Sequence, residues 1–458
     1  MVTRIFARTL LTAAAALPLA ACNWAVFDEL ADDAWVDRVT KPEATDSRQY
    51  GVALVASPTR GAGTHAFVLG RSRASLSTLG YDDAGERLAI NAIDPRATLA
   101  FAGFPERPAL AGDPDSEHVA FSVVMGENVD PSRIAVYNGR TLDIVKSVVL
   151  TAQTEVDGTD RHNIYAEGLT FATLPGFGMD TIKELVIARG PQLVVMQDYS
   201  EADSGTTFAL KGCRAVDNRM DWSYAVAVAN VIDDTIHPGP EILISVGEER
   251  RDGVAEIVVL SPAEITQPYE TAGSCEQNAA ALLRITSAEA ATDLGARIVA
   301  ARFPDVVDPD PLAALDDLVY SAPSLNKVFV RFGGGGAAEI SPSDSGSDFG
   351  DALLVADLLD DDGVPELIVG APRSDPRGVS NGGAVYVYRF RATPSPGFDL
   401  ALTLHPAEPA EEERFGKSLA VAPFGATGGG KVLMVGAEGA VFTYFRTAEY
   451  DDVRVGRM

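Results

Sequence analysis

The chain has 458 residues, 46% of them hydrophobic and only 7% aromatic, and a formal net charge of −28. That length supports a large core, as two or three ordinary domains or as one repeat architecture, and the charge disfavours nucleic acid and anionic lipid surfaces as partners. The 42 glycines and 27 prolines are spread along the chain, which suits many short strands joined by turns and argues against long helices.

Residues 1–21 read as an export signal. Arg4 and Arg8 give a positive start, Leu10 to Ala21 is apolar apart from Thr12 and Pro18, and small residues precede Cys22. Such a segment is too short to anchor stably across a bilayer. The run Leu19-Ala20-Ala21-Cys22 resembles the lipobox of bacterial lipoproteins. The resemblance implies that the Cys22 thiol is acylated and that the protein is exported and lipid-anchored, at the outer membrane or cell surface. Each buried acyl methylene contributes about 0.8 kcal/mol to such anchoring. Residues 22–48 then form a lipidated N-terminus and tether. Within them "AWVDRV" (Ala34 to Val39) offers an alternative role as an outer strand that closes a ring, and the final "EYDDVRVGRM" is a second candidate for it.

From residue 49 to 458 the chain repeats itself. "FGDALLVADLLDDDGVPELIVGAP" from Phe349 aligns with "YAVAVANVIDDTIHPGPEILISVG" from Tyr224, matching Pro365-Glu366 to Pro240-Glu241 ahead of an apolar strand. The same grammar of strand, polar loop, strand, turn and strand begins again at Asp293, Glu413 and Tyr165, and more weakly at Tyr50 and Ala97. Gly51, Thr98, Gly168, Ala225, Gly295, Gly350 and Gly416 mark seven copies at intervals of 47 to 70 residues. Each copy holds three apolar segments with room for a fourth, and one such sheet cannot bury both its faces. Radial stacking solves that problem, so the expectation is an all-β, seven-bladed β-propeller. Two unrelated β-sandwiches would also supply strands, but would not explain shared Asp, Pro and Glu positions in loops.

Phe349-Gly350, the Asp-rich loop, Val369-Gly370-Ala371-Pro372 and "GGAVYVY" (Gly382 to Tyr388) together resemble the FG-GAP repeat of the integrin alpha-chain propeller. Phe415-Gly416 with Val435-Gly436-Ala437, and Tyr320-Ser321-Ala322-Pro323, are partial matches. In that family the acidic loop binds calcium, which takes six to eight oxygen ligands and neutralises carboxylates that otherwise repel. Carried over, the resemblance places Asp360, Asp362 and Glu366 on ligand positions. Leu358 stands at the first position, with Asp357 one residue early. The expected site is therefore Asp357, Asp360, Asp362 and Glu366, with calcium as a local stabiliser. The corresponding loop with Asn230, Asp233, Asp234 and Glu241 lacks the compact Asp-Gly step, so no tight site is expected there. Asp305, Asp308, Asp310, Asp316 and Asp317 read as a solubilising rim.

No catalytic signature appears. The five histidines, His65, His118, His162, His237 and His405, have no metal-ligand spacing, and there is no nucleophile elbow, P-loop or dinucleotide fingerprint. "FGGGGA" (Phe332 to Ala337) reads as a flexible connection between the fifth and sixth copies. In an exported protein Cys213 and Cys275 are expected to pair, closing a loop worth about 4 kcal/mol in the chain-entropy view. The expected function is a non-catalytic binding or adhesion module that engages an envelope or extracellular protein or glycan. It would touch the membrane through its N-terminal lipid and would not bind nucleic acid. The alternatives are an extracellular hydrolase or lyase with its site in the propeller channel, and a structural subunit of an envelope complex.

Overall fold

The computed structural model describes residues 35–40, 50–57, 64–70, 75–82, 85–88, 91–93, 110–112, 118–124, 131–138, 144–151, 166–174, 183–189, 192–197, 209–215, 222–233, 239–247, 255–265, 280–287, 289, 293–304, 315–342, 346–359, 362–392, 395–424 and 430–445. Among these, no helix is long and apolar enough to cross a membrane.

The described residues form seven four-stranded antiparallel sheets. Strand β1 (Trp35–Thr40) stands apart in sequence from the sheet it joins. The first sheet holds β2 (Tyr50–Ser57), β3 (Thr64–Gly70), β4 (Ser75–Tyr81) and β5 (Asn91–Ile93); the second holds β6 (Leu110–Gly112), β7 (His118–Val124), β8 (Pro131–Asn138) and β9 (Ile144–Thr151). The third holds β10 (Ala166–Ala172), β11 (Glu184–Arg189), β12 (Gln192–Gln197) and β13 (Ala209–Ala215). The fourth holds β14 (Trp222–Ala229), β15 (Glu241–Gly247), β16 (Ala255–Leu260) and β17 (Leu283–Thr286). The fifth holds β18 (Ile298–Ala301), β19 (Asp317–Ala322), β20 (Lys327–Arg331) and β21 (Ala337–Ile340). The sixth holds β22 (Ala352–Ala356), β23 (Glu366–Ala371), β24 (Ala384–Arg391) and β25 (Gly397–Leu404). The last combines β26 (Ser418–Phe424), β27 (Gly430–Ala437) and β28 (Ala440–Phe445) with β1. The first strand of each sheet lies against the first strand of the next, and β26 returns to β2. The fold is an all-β propeller.

Packing between sheets explains why whole strands are apolar. Every residue of β15, β16 and β23 is buried. Period-2 alternation sends one face to each neighbour. Ile242, Ile244 and Val246 join a core with Val186 and Ala188 of the third sheet, whereas Leu243 joins Ile298 and Leu318 of the fifth. In β23, Leu367 and Val369 pack with Val328 and Val330, and Ile368 packs with Leu433 and Val435. A single sheet would leave one of these faces in water.

A step of a large apolar residue followed by glycine locks adjacent sheets. Tyr50, Leu294, Phe349 and Phe415 are buried plugs. Each precedes a left-handed glycine, Gly51 (φ 90), Gly295 (φ 78), Gly350 (φ 97) or Gly416 (φ 90). A Cβ on Gly350 would lie 2.7 Å from Ser321 Cβ, and one on Gly416 would lie 2.6 Å from the Ala384 carbonyl oxygen. The fit is reciprocal, since a Cβ on Gly370 would fall on the Gly416 carbonyl and one on Gly436 on that of Gly51. Only glycine tolerates both this backbone and this approach.

The N-terminal strand closes the circle. β1 pairs antiparallel with β28, from Trp35 opposite Phe445 to Thr40 opposite Ala440, so Trp35 to Val39 take the ring-closing option inside the 22–48 segment assigned to the tether. The Tyr81 hydroxyl from the first sheet bonds Asp37 Oδ2 and Thr443 Oγ1, both at 3.0 Å. Its ring meets Phe445 edge-on at 5.0 Å. Arg38 donates to Glu413 Oε1 at 2.7 Å and lies 5.3 Å from the Phe442 ring centroid.

Three expectations change. Phe332 to Gly336 is not a connection between copies; it is the turn between β20 and β21, closed by Phe332 N to Gly336 O at 3.2 Å. The strand after the turn, "AAEI", carries little apolar signal. Asp316 and Asp317 do not belong to a solubilising rim. Asp317 is buried and accepts the amides of Phe303 (2.7 Å) and Gly333 (2.9 Å). Asp316 accepts the Asn230 amide (2.8 Å) and pairs with Arg302 (2.7 Å). The strand before β7 is Leu110–Gly112, while "ATLAFAGF", Asp305, Asp308, Asp310 and the final ten residues lie outside the described residues.

Candidate functional site

Loops joining first to second and third to fourth strands emerge on one face of the wheel. Those joining second to third strands, and each sheet to the next, emerge on the other.

On the first face the repeated acid at the start of the second strand acts as a bracket. Glu184 accepts the Leu174 amide (2.9 Å), Glu241 the Val231 amide (2.8 Å), and Asp317 the Phe303 amide already described. Glu366 Oε2 accepts both Leu358 N (2.7 Å) and Leu359 N (3.1 Å). All four acids are buried. A carboxylate is the strongest acceptor available for a loop amide that leaves the sheet ladder. The Pro-Glu match between copies was the sequence signal for this device.

This geometry tests the expected calcium ligands one by one. Glu366 commits Oε2 inward to the loop amides. Asp357 Oδ2 takes the Gly363 amide (3.2 Å) and lies 3.2 Å from Lys431 Nζ of the last sheet, while Asp357 Oδ1 is buried with no hydrogen-bond partner. Asp362 Oδ1 caps the Val364 amide at 2.8 Å. Asp360 lies outside the described residues, among which no group of three or more metal-capable side chains is found. The loop thus brings one orphaned oxygen and one internal ammonium together. Asp357 and Asp362 lie at the loop rim, each accepting a loop amide, with Glu366 behind them as the frame.

The opposite face carries a clamp of strained backbone. Arg377 (φ 54) and Asn381 (φ 49) sit between β23 and β24, and Glu412 (φ 59) and Arg414 (φ 52) sit between β25 and β26; all four are non-glycine residues in the left-handed region. Glu412 N bonds Ser380 O (3.0 Å), Arg414 N bonds Asn381 O (2.9 Å), Asn381 Nδ2 bonds Glu412 Oε1 (2.6 Å) and Arg377 Nη1 bonds Ala407 O (2.8 Å). Hydrogen bonds from Asn381 and then Arg414 pull the Glu412 carboxyl below its ordinary range. One sheet earlier, Asn326 (φ 53) and Asp348 (φ 52) repeat the arrangement, with Ser347 Oγ and Phe349 N both donating to Asn326 Oδ1. Burial raises the Asp348 carboxyl, and Arg373 at 3.1 Å partly offsets it. Lys417 pairs with Asp351 beside them. Turn-rich "SDPRGVSNGG" (Ser374 to Gly383) was the available sequence signal.

Of the remaining expected residues, Cys213 lies on β13 opposite Val194, whereas Cys22 and Cys275 lie outside the described residues. His405 is buried with Nδ1 2.9 Å from the Pro406 carbonyl, a structural placement. His162 and His237 lie outside the described residues.

Fold and loops together define an all-β propeller whose sheets are locked by steps of a large apolar residue followed by glycine. Residues 349–388 match the FG-GAP repeat family; the chain carries that repeat in its sixth sheet. No curated protein matches the chain. A solved structure of BBS1N in complex with ARL6DN, soaked with lead, is similar at 12% identity and a TM-score of 0.49, covering 90% of this chain and 97% of that one.

Proposed function

We propose that the protein is a non-catalytic binding module of the bacterial cell envelope: one seven-bladed wheel of the integrin alpha type, lipid-anchored through Cys22, that docks a protein or glycan partner. The docking face is the one bearing Arg377, Asn381, Glu412 and Arg414. The observation that supports this reading is the concentration of four left-handed non-glycine residues in two cross-bonded loops. Backbone of this kind costs about 1–3 kcal/mol per residue and concentrates where a surface must be held in shape for a partner. Calcium at the rim formed by Asp357, Asp360 and Asp362 stabilises its own loop; the partnerless Asp357 Oδ1 supports this.

The test is capture from envelope extracts by the full chain and by Arg377→Ala and Asn381→Ala variants, with Lys431→Met on the other face as control. The reading expects one partner that is lost with the first two variants and kept with the third. Equal capture by all forms contradicts it. Cys22→Ala is expected to release the protein from membranes, and retention of that variant in the membrane fraction contradicts the lipid anchor.

A further inference from the structure

The acidic-loop face also holds a cleft of about 370 Å³ between the fourth and fifth sheets. It has the size of a pocket for a small molecule. Its floor is aliphatic and aromatic: Val231, Ile232, Leu283, Leu315, Leu318 and Phe332 line it. Val231, Ile232, Leu283 and Leu315 are only half-buried, so part of each stays open to the cleft. A concave apolar surface left open to water is favourable to cover, at about 25 cal/mol per Å².

Two charges of opposite sign stand on the walls unspent. Arg331 and Asp233 both line the cleft and are exposed, and neither side chain makes a hydrogen bond or ion pair among the described residues. The third charge, Asp316, is consumed by the Asn230 amide and Arg302. The turn Gly333 to Gly336 forms the outer lip. It is fixed by Gly333 N on Asp317 Oδ1, and a Cβ on Gly335 or Gly336 would meet nothing within 4 Å.

We propose that this cleft binds a short apolar peptide with free termini, of dipeptide size. Its side chains cover the floor, its carboxylate meets Arg331 and its ammonium meets Asp233. Charge complementarity selects this class. A chain of net charge −28 repels a purely acidic ligand, a purely basic one leaves Arg331 facing a like charge, and a zwitterion satisfies both walls. The inference goes beyond the partner-docking reading, because the cleft lies on the opposite face from Arg377 and Asn381.

The test is isothermal titration of the full chain with leucyl-leucine, N-acetyl-leucyl-leucine and leucyl-leucinamide. Saturable millimolar or tighter binding of leucyl-leucine is expected, weakened about fivefold or more by Arg331→Gln and by Asp233→Asn. The acetylated probe is expected to bind weakly to wild type and to be indifferent to Asp233→Asn; the amide is expected to be indifferent to Arg331→Gln. Arg377→Ala leaves all three isotherms unchanged, which separates this result from the fate of the docking face. No saturable binding of leucyl-leucine, or equal affinity for the three probes, overturns the proposal, as does binding that neither wall substitution alters in variants of unchanged melting temperature.

Discussion

Replacing Glu366 separates a bracket from a metal ligand. In Glu366→Ala, two amides, Leu358 N and Leu359 N, lose their shared acceptor. Leu358 is itself buried at 8% exposure, so water cannot fully replace the carboxylate. A buried donor left without a partner costs about 1–3 kcal/mol; one fully buried amide and one half-buried one give about 2–4 kcal/mol. Glu366→Gln keeps an acceptor oxygen of the same reach and loses only the charge, so its cost stays near 1 kcal/mol. Equilibrium denaturant unfolding of the two variants, each in calcium and in chelator, provides the assay. Destabilisation by Glu366→Ala is expected to be the same in both conditions, and Glu241→Ala in the fourth sheet, whose acid brackets Val231 N, is expected to cost a similar amount. Any calcium-dependent gain is expected to survive Glu366→Gln and to disappear in Asp357→Asn. A Glu366→Ala variant as stable as wild type in chelator refutes the bracket. Loss of the calcium effect in Glu366→Gln with its retention in Asp357→Asn refutes the division of roles.

Gly416→Ala meets both a left-handed φ and the Ala384 carbonyl 2.6 Å away, and is expected to cost about 3 kcal/mol or more; Gly335→Ala, left-handed but facing open space, is expected to cost about 1 kcal/mol. Tyr81→Phe removes the bonds to Asp37 and Thr443 and is expected to lower stability by about 1–2 kcal/mol, read by the same unfolding assay. Asp348→Asn removes a carboxylate whose pKa burial raises and places asparagine, which tolerates left-handed backbone, at φ 52. The wild-type penalty exists only while the carboxylate is charged. The variant's gain, within about 0.5 kcal/mol, is therefore present at neutral pH and vanishes as pH falls through the raised folded pKa; a gain that grows on acidification contradicts the assignment.

Much of this architecture was legible in particular residues. Phe349-Gly350 and Val369-Gly370-Ala371 carried the family resemblance, and the structure shows why glycine stands there: Gly350 is left-handed against Ser321 of the fifth sheet and Gly370 meets the Gly416 carbonyl of the last. The Pro-Glu repeat at 240–241 and 365–366 was visible, but its role was not. A carboxylate in an acidic loop suggests a cation unless the amides it accepts are seen, and those amides belong to residues seven to ten positions away. Short, polar outer strands such as Ala337–Ile340 carry no hydrophobic period, so the glycine turn before them passed for a linker. The clamp of Arg377, Asn381, Glu412 and Arg414 depends on loops 30 to 33 residues apart meeting in space, which no local pattern encodes.

Strand β1 closes the wheel against β28, and a cross-link across that seam tests this closure most directly. Opposed residues of an antiparallel pair stand about 4.5–5.5 Å apart at Cα, within the span of a disulfide, and Thr40 faces Ala440. In full-length protein carrying Cys213→Ser and Cys275→Ser, the Thr40→Cys and Ala440→Cys pair is expected to oxidise quantitatively in the folded state, giving a compact, reducible species on denaturing gels. Folded protein whose two introduced thiols both remain free under oxidation would contradict the closed wheel.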